Sequence, residues 1–362
     1  MKLPKHGSNP QYVYSAMKMN KPDGVIDLSA NINSFGPPNV LIDNWSQLLK
    51  EIVEYPDPYA QNLRRKISES VNVNVEKILV GNGGAELIHL IARMFAKKRI
   101  LIVQPTFSEY ENACRSFRCE IYHHQLTEPH WNIEIEKLKL SLSEMDALFL
   151  CNPTNPTGIV YSYETLKEII EEAYKHKCTV IIDEAFYDFV MNYQSIVALL
   201  NEYENLIIIR SLTKMFSIPG IRLGYLMAAN EIIQQLQSIQ VHWSVNAIAL
   251  TAGELLLEQE DFIRETQSHI KEEREALFSY FDSQHFLVSP SQTNFYLLRD
   301  PQIEDQFLLF SFLLEKGIVC RHTLNFQGLE GRWLRFAIKG KKEHTRLMEV
   351  MGEWRQTTPY YS

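Results

Sequence analysis

Lys214 stands in the run SLTK, directly behind the apolar segment 205–210, and Arg222 follows eight residues later. An amine at the rim of a buried strand and close to another cation has a lowered pKa, which makes it a usable nucleophile toward an aldehyde. Asp183 closes a second apolar run, TVIID. A carboxylate there serves either as a helix cap or as the counter-charge to a protonated heterocycle nitrogen. Gly83, Gly84 and Ala85 belong to GNGGAE, between a short apolar run and an amphipathic one. That turn is either a plain glycine turn or an anion site, built from the free N–H groups at a positive helix end. Ser211 and Arg222 could complete such a phosphate cradle, the arginine by its planar fork. Asn155, in NPTNPTG, is either a turn-forming residue or an amide donor held on a turn bounded by proline and glycine. Each signal alone is weak. Together they gain force, because each follows a strand.

The elements that must position these groups are read from periodicity. Residues 78–80, 100–103, 147–151, 179–182 and 205–210 are predicted strands, and 86–95 and 163–176 are predicted helices. Short apolar strands alternating with helices indicate a three-layer α/β domain around a mainly parallel sheet, with ligands at the carboxyl ends of the strands. Ahead of it, roughly the first 35 residues read as an extended arm, 41–53 and 62–71 as helices, and Tyr55-Pro56-Asp57-Pro58 as a turn. Beyond about residue 240 a long charged helix over 254–281 precedes a strand pair near 294–298 and 333–337, which suggests a smaller α+β domain. The expected organisation is an arm over 1–40, a large domain over 41–240 and a small domain over 241–362.

Composition narrows the function further. The chain has 362 residues, 45% of them hydrophobic and 22% charged, with a net charge of −8. That acidity argues against a nucleic-acid partner, since phosphate backbones need a basic face. The polar start lacks the apolar core of a signal peptide, and no apolar run reaches the ~18 residues of a membrane span. Five scattered cysteines without a CxxC pair suggest reduced thiols in a cytoplasmic protein and no metal site. GNGGAE lacks both GxGxxG spacing and the GxxxxGK lysine, which counts against a nucleotide-binding protein.

The order GNGGAE, PTFSEY, NPTNPTG, VIIDEAF, SLTKMFSIPGIRLGY resembles that of fold-type I pyridoxal-phosphate enzymes. Within them it is similar to the branch of histidinol-phosphate aminotransferases and threonine-phosphate decarboxylases, from LPKHGSN to WLRFA. The resemblance implies pyridoxal 5'-phosphate as cofactor, held as a Schiff base on Lys214, which later carries the proton. It implies that Asp183 pairs with the pyridine nitrogen, Asn155 donates to the phenolic oxygen and Phe107 stacks on the ring. Gly83, Gly84, Ala85, Ser211 and Arg222 would hold the cofactor phosphate. Tyr55 would reach that phosphate from the other subunit of a homodimer whose sites lie at the interface.

The same resemblance supplies substrate candidates. Arg335, in WLRFA, resembles a carboxylate-binding arginine, and Arg321, in CRHTLNF, one that holds a substrate phosphate. His6, in KHGSN, resembles a phosphate-contacting histidine of the decarboxylases. Each of the three could instead be an ordinary surface or capping group. HGSN followed by DLSANINSFGPP looks like the decarboxylase side, where Asn31, with Asn155, would lie in the substrate pocket. Phe186 points the same way, because aminotransferases of the branch usually place a tyrosine there. The expected reaction is decarboxylation, through an external aldimine, of a phosphorylated amino acid: L-threonine O-3-phosphate or its analogue O-phosphoserine. The alternative is a histidinol-phosphate or related aminotransferase.

Overall fold

The computed structural model describes residues 3–357. Its centre is a seven-stranded sheet in the order Ile78–Gly81, Gly224–Ala228, Leu206–Ser211, Thr179–Asp183, Ala147–Cys151, Arg99–Gln104 and Glu120–Gln125. Gly224–Ala228 pairs antiparallel with both of its neighbours, and the remaining ladders are parallel. Successive side chains of a strand point to opposite faces, so the isoleucine-rich strands feed two cores. Val180, Ile182 and Ile208 join one hydrophobic cluster, while Ile181, Ile207 and Ile209 join the other. Helix Gly83–Met94 buries Leu87, Ile88, Leu90 and Ile91 on the second face. Helix Tyr163–Lys175, capped by the Ser162 hydroxyl accepting from the Thr165 N–H at 3.1 Å, buries Leu166, Ile169 and Ile170 on the first. The sheet is therefore covered on both sides.

A second sheet is antiparallel, in the order Arg321–His322, Leu334–Ala337, Phe295–Arg299, Leu287–Val288. Its register sets Arg321 directly opposite Arg335. A short strand, Ile26–Asp27, pairs in parallel with Ile318–Val319. The next residue extends the link: the Leu28 N–H donates to the Val319 carbonyl, and the Leu28 carbonyl accepts from Ala337, each at 2.7 Å. Residues 26–29 are thereby tied along the strand that bears Arg335. Among the described residues, no helix is long and apolar enough to cross a membrane.

Three expectations need correction. The opening segment is not simply extended: it contains helix Pro10–Met17 and strand Ile26–Asp27. Proline at the start of that helix lacks only an N–H that no helical turn would have used. Residues 41–53 form no single helix but Asn39–Asp43, Trp45–Leu48 and a 3₁₀ turn, Leu49–Val53. At the break the Asn44 side chain donates to the Val40 carbonyl at 2.8 Å, a local bond that competes with the helical ladder. The long helix expected over 254–281 is likewise two, Ala247–Leu256 and Glu260–Ser283. One boundary matters for chemistry, because the helix after GNGGAE starts at Gly83 rather than Glu86.

Candidate active site

A cavity of about 330 Å³ opens at the carboxyl ends of the central strands, between the two sheets and the N-terminal segment. Lys214 and Asp183 line it together. Lys214 lies on the turn after strand Leu206–Ser211, and this turn is clamped from the N-terminal segment. The Asn33 N–H donates to the Lys214 carbonyl at 3.1 Å, and the Asn33 amide donates to the Met215 carbonyl at 2.8 Å and to Thr266 Oγ1 at 2.9 Å. Burial, helped by the nearby Arg222 and Arg335 cations, pulls the Lys214 amine down to about 8, and Asp183 only partly opposes it. A lysine so placed is a nucleophile near neutral pH.

Asp183 ends its strand with both carboxylate oxygens occupied once. Oδ1 accepts from the Ala185 N–H at 2.9 Å and Oδ2 from the Tyr110 hydroxyl at 2.7 Å. Burial raises its pKa, while these two donors and Lys214 lower it. The phosphate-side groups also converge. Gly83 has φ +75°, and a β-carbon there would stand 2.4 Å from an Arg222 guanidinium nitrogen, so only glycine lets the arginine lie across the helix start. Gly84, Ala85, Ser211 and Arg222 line the cavity; Gly83 lies behind Arg222. The Ser211 and Thr213 hydroxyls are 2.8 Å apart.

On the opposite wall, Arg335 donates to Asn155 Oδ1 at 2.6 Å and to the Ser29 carbonyl at 2.7 Å, which leaves the Asn155 amide nitrogen free to donate elsewhere. Arg321 donates to the Pro4 carbonyl at 2.9 Å, to the Lys5 carbonyl and to Asn325 Oδ1. Among the described residues, neither arginine forms an ion pair with a carboxylate. Burial lowers Arg335 to about 9, with Arg321 adding to the effect, and it lowers Arg321 to about 10. Two guanidinium groups facing each other across one ladder are destabilising unless an anion joins them. His6 Nε2 lies 2.9 Å from Glu109 Oε1 and faces the Phe107 ring at 5.8 Å. Asn31, only 6% exposed, lines the cavity with neither amide atom hydrogen-bonded. Buried amides rarely remain so without a ligand or water. Phe186 lines the floor, edge-on to Phe295 at 4.8 Å.

Tyr55 is the expected site residue that the chain does not bring to this cavity. It is 81% exposed and its ring lies tilted against Trp243, centroids 4.8 Å apart. Sequence reasoning also missed contributors. The Ser29 carbonyl and Ala185 N–H are backbone groups without a side-chain signature. Tyr110 was visible within PTFSEY, three residues after Phe107, but nothing in the motif says that its hydroxyl meets a carboxylate 73 residues on.

Residues 23–350 match the family described as aminotransferase class I and II. The chain belongs to this family. Among its relatives is the threonine-phosphate decarboxylase of Salmonella typhimurium, 33% identical over 96% of this chain and 95% of that protein. The crystal structure of histidinol-phosphate aminotransferase from Clostridium acetobutylicum superposes with TM-score 0.87 at 31% identity, covering 91% of this chain and 99% of that one. That of L-threonine-O-3-phosphate decarboxylase from Porphyromonas gingivalis gives 0.81 at 25%, again covering 91% and 99%. The chain has the fold of the fold-type I pyridoxal-phosphate enzymes, and the family's cofactor is pyridoxal phosphate. The residues present suit that cofactor. A cradle closed by Arg222 over a side-chain-free Gly83 fits a phosphate, a depressed lysine fits the aldehyde, and a buried carboxylate fits the ring nitrogen.

Proposed function

We propose that this family member decarboxylates a phosphorylated amino acid, L-threonine O-3-phosphate or its close analogue O-phosphoserine. The observation behind this reading is the buried Arg321–Arg335 cross-strand pair, two cations at one cavity wall that form no ion pair with a carboxylate among the described residues. A substrate bearing a carboxylate and a phosphate on one short skeleton supplies one anion for each of the two cations. In this reading Arg335 forks the carboxylate, oriented by Asn155 and the Ser29 carbonyl. Arg321 and His6 take the phosphate, and the unpartnered Asn31 amide completes the substrate wall. The Salmonella relative's name agrees with this substrate class.

Pyridoxal phosphate supplies an electron sink for the bond broken at the substrate's α-carbon. The chain's residues decide which bond that is. Two arginines fixed on adjacent strands set the carboxylate's angle to the ring, and only a bond held perpendicular to the ring breaks readily. Lys214 would hold the cofactor's aldehyde, and its Nζ would carry the proton returned to the substrate's α-carbon. Asp183 would accept a hydrogen bond from the cofactor's ring nitrogen and keep that nitrogen protonated. Phe107 and Ile88 line the cavity with apolar surface.

We further propose a homodimer. Ile42, Trp45, Leu49, Ile52, Val53, Tyr55, Val241 and Trp243 leave large apolar side chains in solvent. Exposed apolar surface on this scale is uncommon on a monomer. A second copy would cover it and bring Tyr55 to the partner's cofactor phosphate.

A second reading, histidinol-phosphate aminotransferase, is favoured by the likeness to the Clostridium enzyme. It requires the same phosphate and cofactor sites but also a dicarboxylate donor, and it leaves the cofactor in its amine form. Offering phosphothreonine, phosphoserine and histidinol phosphate separately distinguishes the two. Carbon dioxide from a phosphoamino acid, with no keto acid formed, supports the decarboxylase; accumulation of the amine form with histidinol phosphate overturns it.

A further inference from the structure

Tyr110 and Asp183 are joined by a bond whose surroundings suggest more than hydrogen-bond satisfaction. The phenol is fully buried on helix Glu109–Ser116. Its ring stacks on Phe149 at 5.2 Å with an interplanar angle of 18° and meets the edge of Phe107 at 5.8 Å. Held on two sides, the hydroxyl can hardly swing away, and it stands 2.7 Å from Asp183 Oδ2. The Ala185 N–H takes one lone pair of the other oxygen at 2.9 Å. Each carboxylate oxygen thus keeps a free lone pair for a ligand in the cavity.

We propose that Tyr110 is a positioning residue that sets the proton affinity of Asp183 and thereby keeps the proton on the cofactor's ring nitrogen. This rests on pyridoxal phosphate lying with its ring nitrogen against Asp183. A proton shared between a carboxylate and a pyridine resides on the weaker acid's side. A hydroxyl donating to an ionised carboxylate is a strong, charge-assisted bond that lowers the carboxylate's basicity. The other groups around Asp183 cannot substitute for it. Glu184, its chain neighbour, raises its proton affinity, and Cys151, on the adjoining strand, is a thiol whose pKa burial pushes up to about 12. Lys214 lowers Asp183's proton affinity by its charge alone, with no hydrogen bond between the two among the described residues. Tyr110, whose own pKa burial holds well above the ordinary phenol value, remains a donor throughout. Among the described residues, the Ala185 N–H is the other hydrogen-bond donor to Asp183.

The test is Tyr110→Phe in the full-length, cofactor-loaded protein, because phenylalanine keeps both ring contacts and removes only the donor. The pKa at which the bound cofactor's visible absorption band changes should rise by half a unit or more. The turnover number should fall roughly tenfold, with KM changed less than twofold. In cofactor-free protein the Asp183 protonated-carboxyl infrared band, identified by its loss in Asp183→Asn, should persist to higher pH in Tyr110→Phe. In an Asp183→Asn background the added Tyr110→Phe change should leave the spectral pKa where it is. A purely structural phenol would lower the melting temperature and leave both titrations unmoved, and that outcome overturns the proposal. If the wild-type protein takes up no cofactor, or hydride reduction tags another lysine, the underlying assignment of the site fails instead.

Discussion

At the scale of single residues, the site depends on burial moving protons. Burial and neighbouring cations hold the Lys214 amine near 8, so roughly a tenth of it is unprotonated at pH 7, against about three in ten thousand for an ordinary lysine. Because the shift is downward, the reactive form is lost below about pH 8 and dominates above it. Capture of pyridoxal phosphate by the cofactor-free protein, followed by stopped-flow absorbance, should therefore speed up with pH and level off beyond an inflection near 8. An inflection close to 10 would mean that the amine is solvated. Phe186 offers a second test. It is buried against Phe295 at the cavity floor and donates nothing, so Asn155 is the donor assigned to the cofactor's phenolic oxygen. Phe186→Tyr adds a donor to that oxygen, favours its ionised form and should lower the spectral pKa of the loaded enzyme. An unchanged or higher value in an absorbance titration would count against this placement.

At the scale of elements, the N-terminal segment acts as a wall built against two arginines. Arg321 is satisfied by carbonyls of residues 4 and 5, Arg335 by that of residue 29, and the Ser8 N–H donates to the Ser29 hydroxyl at 2.9 Å. The approach is so close that a β-carbon at Gly7 would lie 2.1 Å from the Ser29 carbonyl oxygen. Gly7→Ala should therefore lift the wall off the cavity while leaving both sheets intact. We expect KM for the phosphorylated substrate to rise about tenfold, worth ~1.4 kcal/mol of lost binding, with little change in melting temperature. Steady-state kinetics and calorimetry on the same preparation check both halves. A collapse in stability with KM unaltered would show that the segment is structural only.

At the scale of the whole molecule, Tyr55 lies outside the cavity of its own chain, on a surface carrying Trp45, Leu49, Val53 and Trp243 in solvent. If the partner subunit receives Tyr55, two defective chains can complement each other. Lys214→Ala subunits dissociated and re-associated with an equal amount of Tyr55→Ala subunits should regain about a quarter of wild-type activity. Half of the dimers are then hybrids, and each hybrid rebuilds one of its two sites. No recovery in the mixture, or a monomer in sedimentation, would refute the shared site. The two sheets also meet through Glu128, after strand Glu120–Gln125, which accepts from Arg332 at 3.2 Å and from the Trp333 indole. That contact fastens the start of the strand bearing Arg335 to the edge of the large sheet.

What the sequence determined by itself was the placement of the candidate site residues at the strand ends. Lys214, Asp183, Asn155 and the GNGGAE turn are each set by a few neighbouring residues, since a buried apolar run of four or five followed by a polar turn has one plausible geometry. The alternating cores and the parallel sheet followed from the same local patterns. Helix breaks at Asn44 and before Glu260 escaped because a side chain reaching a carbonyl four residues back, Asn44 to Val40 and Gln259 to Leu255, leaves the apolar spacing unchanged. Only the tertiary structure set Arg321 opposite Arg335, turned the Tyr110 hydroxyl to Asp183 and laid the Ser29 carbonyl beside Arg335. Those relations join residues far apart in the chain. They depend on strand register and on the packing of the N-terminal segment, both fixed by contacts across the molecule rather than by any local run of residues.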